Sequence, residues 1–202
     1  MESTENKIEH NIKRQRRGKL FFASDFALCG NTEAVFKALQ RLHKSGFIMR
    51  IAHGIYYYPK LNKNKYIKSK YLLPSIDEIA YGIAQRDKIR IVPTGSYALN
   101  TLGLSTQVPA NAVFITDGAP RRIAVGKGKG ILFKHTSETR SLAYKSKLLM
   151  LIVSALREIG EGKATAQQLE IIKSHLTNIS QKELETDIQL MPLWVRKILL
   201  SL

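Results

Sequence analysis

The chain has 202 residues, 44% hydrophobic and 24% charged, the ordinary balance of a folded protein with a core to bury. It carries 32 Lys and Arg against 16 Asp and Glu, a net charge of +16, which points to a polyanionic partner, nucleic acid first and an anionic membrane surface second. One cysteine, Cys29, excludes an internal disulfide and fits a reducing compartment, and the longest apolar run, Leu148–Val153, is too short to span a bilayer. The charge is unevenly placed. Residues 1–74 hold 15 basic and 5 acidic side chains, residues 75–150 hold 11 and 5, and residues 151–202 hold 6 and 6. The neutral last quarter is expected to serve packing or a protein partner. The Met1-Glu-Ser-Thr-Glu start has no apolar signal core, so the expectation is a soluble, cytoplasmic protein with no membrane partner.

In chain order, Ser3–Arg17 reads as a helix with Ile8 and Ile12 as its apolar stripe and Gly18 as its stop. Leu20-Phe21-Phe22 is a short strand. Ser24 is expected to cap a brief helix over Asp25–Leu28, and Cys29-Gly30 makes a turn, with Cys29 buried. A longer helix starts at Asn31 or Thr32, carries Val35, Ala38, Leu39 and Leu42 at the helical period, and stops at Gly46. Phe47–Ala52 and Ile55–Tyr58 are strands joined by a tight turn at His53-Gly54. Tyr56, Tyr57 and Tyr58 are expected to pack, since alternation leaves at most one or two for stacking or DNA. Helix, strand, helix, turn, helix and hairpin is the order of a winged helix-turn-helix, assigned to residues 1–60.

Residues 61–74 read as a basic linker in which Lys63, Lys65, Lys68 and Lys70 alternate with Asn and Tyr. A mixed α/β domain is assigned to 75–202. Ser75 and Glu78 fit a capping box, ahead of a stripe of Ile76, Ile79, Ala80 and Ile83. Ile89–Val92 is a strand, Pro93-Thr94-Gly95 a turn and Ser96–Leu102 a short helix. Ala112–Thr116, Arg121–Val125 and Ile131–His135 are strands, the last two joined through Gly126-Lys-Gly-Lys-Gly130. Residues 138–159, 165–176 and 180–189 read as helices, with Thr165 and Gln168 as a second capping box, and Pro192 precedes a short terminal helix. The fold class is α+β, with 138–202 mainly helical.

In a helix-turn-helix the second helix enters the major groove. Removing the core stripe from Thr32–Ser45 leaves Thr32, Glu33, Phe36, Lys37, Gln40, Arg41 and Lys44 outside. Arg41 suits guanine and Gln40 adenine. Lys37 and Lys44 suit phosphate, as do Lys13, Arg14, Arg16, Arg17 and Lys19 of the first-helix cluster, and Thr32 can offer a hydroxyl or its N–H. Arg50 and His53 flank the hairpin tip and provide a wing contact.

Several motifs add a resemblance. Phe21-Phe22-x-x-Asp25-Phe26, Leu39-x-Arg41-Leu42-x-x-x-Gly46-x-Ile48 and Gly54-Ile55-Tyr56-Tyr57 resemble the N-terminal winged helix of abortive-infection type IV antitoxins, the AbiEi family. Pro74-Ser-Ile-Asp-Glu-Ile-Ala80, Pro93-Thr-Gly-Ser-Tyr-Ala-Leu-Asn100, Leu102-Gly-Leu-Ser-Thr-Gln-Val-Pro109 and Thr116-Asp-Gly-x-Pro-Arg-Arg122 resemble a bacterial branch of that group, over about residues 12–160 in all. The resemblance implies a repressor that binds inverted repeats in its own promoter. It also implies an antitoxin that counteracts a nucleotidyltransferase-like toxin, with 75–202 as the antitoxin domain.

No Cys-x-x-Cys, His-Glu-x-x-His or Gly-x-Ser-x-Gly occurs, and Gly126–Gly130 lacks the Lys-Ser/Thr of a phosphate-binding loop. No enzyme activity, metal or cofactor is therefore expected. Two alternatives stand beside the repressor: a nucleic-acid-processing enzyme targeted by the winged helix, and an adaptor acting through the C-terminal helices. In the second domain Thr94, Ser96, Tyr97 and Asn100, with Arg121 and Arg122, are candidates for a further contact to DNA or to a toxin.

Overall fold

The computed structural model describes residues 2–63, 66, 69–126 and 128–202. Ile8 and Ile12, one helical turn apart, are fully buried on the single apolar stripe of α1 (Thr4–Lys13). Ser3 caps this helix by accepting from the Asn6 N–H at 3.2 Å. The helix ends at Lys13, short of the expected Arg17, because Arg14–Arg17 offer no apolar residue to continue the stripe.

After β1 (Leu20–Phe22) comes a single 3-10 turn, Ala23–Phe26, in place of the expected helix capped by Ser24. Asp25 closes this turn by accepting from the Phe22 N–H at 2.9 Å. Asn31 caps α2 (Thr32–Lys44), its Oδ1 accepting from the Ala34 N–H at 2.8 Å. Val35, Ala38, Leu39 and Leu42 are buried in one cluster with Ile8, Ile12, Phe21, Phe26 and Ile48. Each such side chain contributes about 1.5–3 kcal/mol when fully buried, so this cluster holds the helices to the strands. The next strand, β2 (Met49–Ala52), starts later than the expected Phe47. The N–H groups of Phe47 and Ile48 instead donate to the Leu42 carbonyl at 3.0 and 3.3 Å, closing the end of α2. A hairpin around Gly54, at φ +71°, leads into β3 (Ile55–Tyr57), with a register shift between Arg50 and Ala52.

The sheet is antiparallel in the order β1-β3-β2. Its central strand carries Tyr56 and Tyr57, with Tyr58 just beyond it, and all three are buried, in line with the packing role expected of them. Tyr56 and Tyr58 join the helical core on one face. The other face is covered by α3 (Ile76–Asp87): a Cβ at Gly82 would stand 3.2 Å from Leu20 and 3.8 Å from Phe22. Burial, and after it the Glu78 carboxylate of the same helix, push the Tyr57 phenol up. The capping box expected at α3 is present, with Ser75 N–H on Glu78 Oε2 at 2.7 Å and Glu78 N–H on Ser75 Oγ at 3.1 Å.

The stretch expected as a linker has paired ends, since β4 (Lys60–Leu61) runs antiparallel to β5 (Tyr71–Leu72). Lys65 and Lys68 lie outside the described residues. The chain divides into two compact units, 1–82 and 83–202, and the division falls inside α3.

The second unit is built on a four-stranded mixed sheet. Its strands are β6 (Ile91–Thr94), β7 (Asn111–Thr116), β8 (Arg121–Val125) and β9 (Lys129–His135), and α4 (Gly95–Thr101) follows β6 directly. The order is β6-β7-β9-β8, antiparallel except for the parallel pair β7–β9. The first strand lies two positions later than Ile89–Val92, so Pro93 and Thr94 are strand rather than turn. Pro93 is tolerated because β6 is an edge strand. Lys127, in the glycine loop before β9, is outside the described residues.

The expected helix over 138–159 is broken. A 3-10 turn at Thr139–Leu142 precedes α5 (Lys147–Ile159), which Ser146 caps. The fully buried Asp187 causes the break, accepting from the Lys145 N–H at 3.0 Å and the Ser146 N–H at 2.8 Å. Asp187 is the last residue of α7 (Gln181–Asp187), which follows α6 (Ala166–Leu176) and its Thr165–Gln168 capping box. Pro192 opens α8 (Leu193–Ser201). Leu149, Ile152 and Leu156 of α5 are buried with Leu102, Ile172, Val195 and Leu199. The chain is therefore a mixed α+β protein with a helical C-terminal part. Among the described residues no helix is long and apolar enough to cross a membrane.

Candidate nucleic-acid interface

The helical period places Glu33, Lys37, Gln40 and Lys44 of α2 opposite its buried stripe, and all are exposed. Thr32 is exposed at the first position of the helix. Lys37 pairs with Glu33 at 2.6 Å, an exposed i, i+4 pair of the kind worth a few tenths of a kcal/mol, about 0.3–0.5. Lys44 and Gln40 form no side-chain hydrogen bond or ion pair among the described residues. Arg41 sits on the flank toward α1, where its Nε meets the Glu5 carboxylate. This partner was invisible in the sequence, where Arg41 reads as outward and free. On the opposite flank, Phe36 and His43 face the hairpin, and His43 Nδ1 lies 3.3 Å from the Ile48 carbonyl.

Between α2 and the hairpin runs an open cleft of about 300 Å³. Phe36, Lys37 and Gln40 line it from the helix, and Arg50 and His53 from the hairpin. Arg50 reaches back to the Ala52 carbonyl at 3.4 Å, a long bond that leaves the guanidinium exposed. The basic cluster after α1 divides in two. Arg14 and Arg16 are exposed, without an ion pair among the described residues. Arg17 donates to the Pro59 carbonyl at 3.0 Å and stacks over the Tyr58 ring at 4.5 Å, so it fastens the chain after β3 to the segment between α1 and β1. Lys19 donates to Gln15 at 2.9 Å, and Lys13 pairs with Glu9 at 2.6 Å.

The second-unit candidates do not form one site. Thr94, Ser96, Tyr97 and Asn100 lie on β6 and α4, at one edge of the sheet. Arg121 and Arg122 lie on β8, at the other edge, about 14 Å away at the usual strand spacing. Asn100 donates to the Ser105 carbonyl at 3.2 Å, and the Tyr97 ring packs 5.5 Å from that of Phe114. Arg121 binds the Asp87 carboxylate and stacks over Phe133. Arg86 also holds Asp87, and the two guanidiniums keep its carboxyl below the usual range, outweighing burial. Arg122 reaches Asn111 at 3.4 Å.

A profile of the family of unknown function DUF6088 matches residues 7–188. The chain belongs to that family. None of the curated proteins matches it. The DUF6088 match opens at the start of the α1 stripe and runs past Asp187, taking in both units. Within this DUF6088 chain, sequence reasoning missed a second cleft, of about 230 Å³, between β6 and α5. There Arg157 makes a two-pronged pair with Glu138 at 3.0 and 2.8 Å and donates to Ser141 at 2.7 Å. The guanidinium holds the Glu138 carboxyl below its ordinary value. Tyr144 lines the same cleft, with its hydroxyl oxygen buried and without a hydrogen-bond partner among the described residues. Burial pushes its pKa up to about 12. No spacing signal links these residues, because Ser141 and Tyr144 read as one face of a continuous helix.

Proposed function

We propose that this chain is a sequence-specific double-stranded-DNA-binding regulator whose residues 1–60 act as a winged helix. The observation that carries the proposal is the α2 face. An exposed helix surface with Lys37, Gln40 and Lys44 at its centre stands beside a hairpin bearing Arg50 and His53, in the most basic stretch of the chain. In this reading α2 enters the major groove, Gln40 meets an adenine edge and Lys44 a phosphate. The β2–β3 hairpin serves as the wing. Arg14 and Arg16 hold backbone phosphates, whereas Arg17 acts structurally through Pro59 and Tyr58. Arg41 takes a flanking phosphate after exchanging Glu5 for it, rather than a guanine edge. The test is selection of duplexes from a random pool, followed by a mobility-shift titration of the enriched duplex. Retardation at submicromolar protein supports the proposal; none at micromolar protein and low salt refutes it.

The resemblance of the motifs in 12–160 to abortive-infection antitoxins supports a finer form of this proposal. The regulator is then a cytoplasmic repressor of its own promoter, and its second unit counters a nucleotidyltransferase-like toxin. Co-expression with such a toxin from the adjacent reading frame tests it: restored growth supports the role, and unrelieved toxicity at confirmed expression contradicts it.

A further inference from the structure

Phe36 stands apart from its surroundings on α2. It is 42% exposed, while the other outward side chains of the helix are polar or charged. The core does not need it, since Val35, Ala38, Leu39 and Leu42 already fill the buried stripe. It lines two hollows at once. One is the cleft shared with Lys37, Gln40 and Arg50, and the other lies beside Ser24, Asn31 and Thr32 at the start of the helix. Phe36 is thus an exposed apolar ridge between a cleft of mixed lining and a mainly apolar hollow that Ala23, Ala27 and Val35 also line, on the surface that faces DNA in the reading above.

In the major groove the apolar feature of a base edge is the C5-methyl of thymine, next to the O4 acceptor. Gln40 lies one helical turn beyond Phe36 and lines the same cleft, so the adenine edge it meets in that reading stands next to the position Phe36 reaches. Resting on the DNA-binding reading, we infer that Phe36 packs against the C5-methyl of a thymine and that this contact is a specificity determinant of the bound sequence. The contact withdraws the exposed ring face and the methyl from water together.

The test uses the full chain and the duplex it selects from a random pool. Deoxyuridine replaces each thymine in turn, removing only the methyl group. At one thymine per bound chain the substitution weakens wild-type binding about fourfold, the equivalent of one buried methyl group. Phe36→Ala binds the thymine and deoxyuridine duplexes equally. Leu28→Ala removes a fully exposed apolar side chain that lines neither hollow, and it keeps the discrimination. A readout independent of any variant's folding is photo-crosslinking of wild-type protein to 5-iododeoxyuridine at that position, with the adduct mapping to Phe36. A selected duplex bound equally well with and without every thymine methyl overturns the inference and leaves the DNA-binding reading standing. So does discrimination that survives in Phe36→Ala. Failure to enrich any duplex overturns the reading itself and the inference with it.

Discussion

Both units hold committed and exposed arginines, Arg17 of the first being bonded to Pro59 and Arg90 of the second staying 51% exposed in its pair with Asp117, but several of their cations are used differently. In the second unit Arg86, Arg121 and Arg157 are each about one-third exposed and are committed to Asp87 or Glu138. These pairs fasten β8 to α3 and α5 to the turn before it. In the first unit Arg14, Arg16 and Lys44 are exposed and uncommitted among the described residues, and the pairs that exist, Lys13–Glu9, Lys37–Glu33 and Arg41–Glu5, keep their cations more than half exposed. A formal positive charge therefore says little about partners until its carboxylate is known. Breaking a fully buried pair costs roughly 3–5 kcal/mol and a partly exposed one less, whereas exposed pairs exchange partners for less than about 1 kcal/mol.

This contrast makes separable predictions, since second-unit changes should move stability and first-unit changes should move binding. The largest effect is expected from Asp187→Asn, which removes the charge that holds the Lys145 and Ser146 N–H groups. It should lower unfolding stability by about 3 kcal/mol in urea while the remaining folded fraction binds DNA normally. Gln40→Ala should cost about 1–3 kcal/mol on the selected duplex and little on random sequence, measured by anisotropy. Lys44→Ala should weaken all duplexes alike and reduce the slope of log K against log salt by about 0.9.

Tyr144→Phe should stabilise the protein by about 1 kcal/mol, since it removes a buried hydroxyl that has no hydrogen-bond partner among the described residues. It should also change the alkaline limb. With the folded pKa raised to about 12 from 10.0, the wild type loses stability as pH climbs through that interval, because only the unfolded chain ionises readily there. Denaturant titrations at pH 9 and pH 11 should show a smaller loss in the variant. The smallest effect is expected from Glu5→Gln. Freeing Arg41 should tighten binding a few-fold, equivalent to less than about 1 kcal/mol. Weaker binding in Glu5→Gln would show instead that Glu5 holds Arg41 in its working position.

Local signals carried the sequence reading well. The α2 stripe, the capping boxes at Ser75 and Thr165 and the β8–β9 hairpin are all encoded within a few residues of each other, and all are present. The differences come from distant partners. The break before α5 depends on Asp187, far along the chain, and what covers Tyr57, on the face alternation left open, is α3. The parallel pairing of β7 with β9 likewise joins strands separated by β8. At the candidate interface the outward positions of α2 follow from its periodicity, but the Arg41–Glu5 pair and the role of Arg17 at Pro59 do not, since each joins segments far apart in sequence.

The most direct test of the central claim is a salt series of binding isotherms on the selected duplex. It compares wild type with a variant carrying Lys37→Ala, Gln40→Ala and Lys44→Ala, whose folding is checked by circular dichroism. The account predicts a linear fall of log K with log salt for the wild type, and at least a hundredfold loss in the folded variant, about 2.7 kcal/mol. Equal binding by the two proteins would contradict it, because the α2 face would then not be the surface that meets DNA.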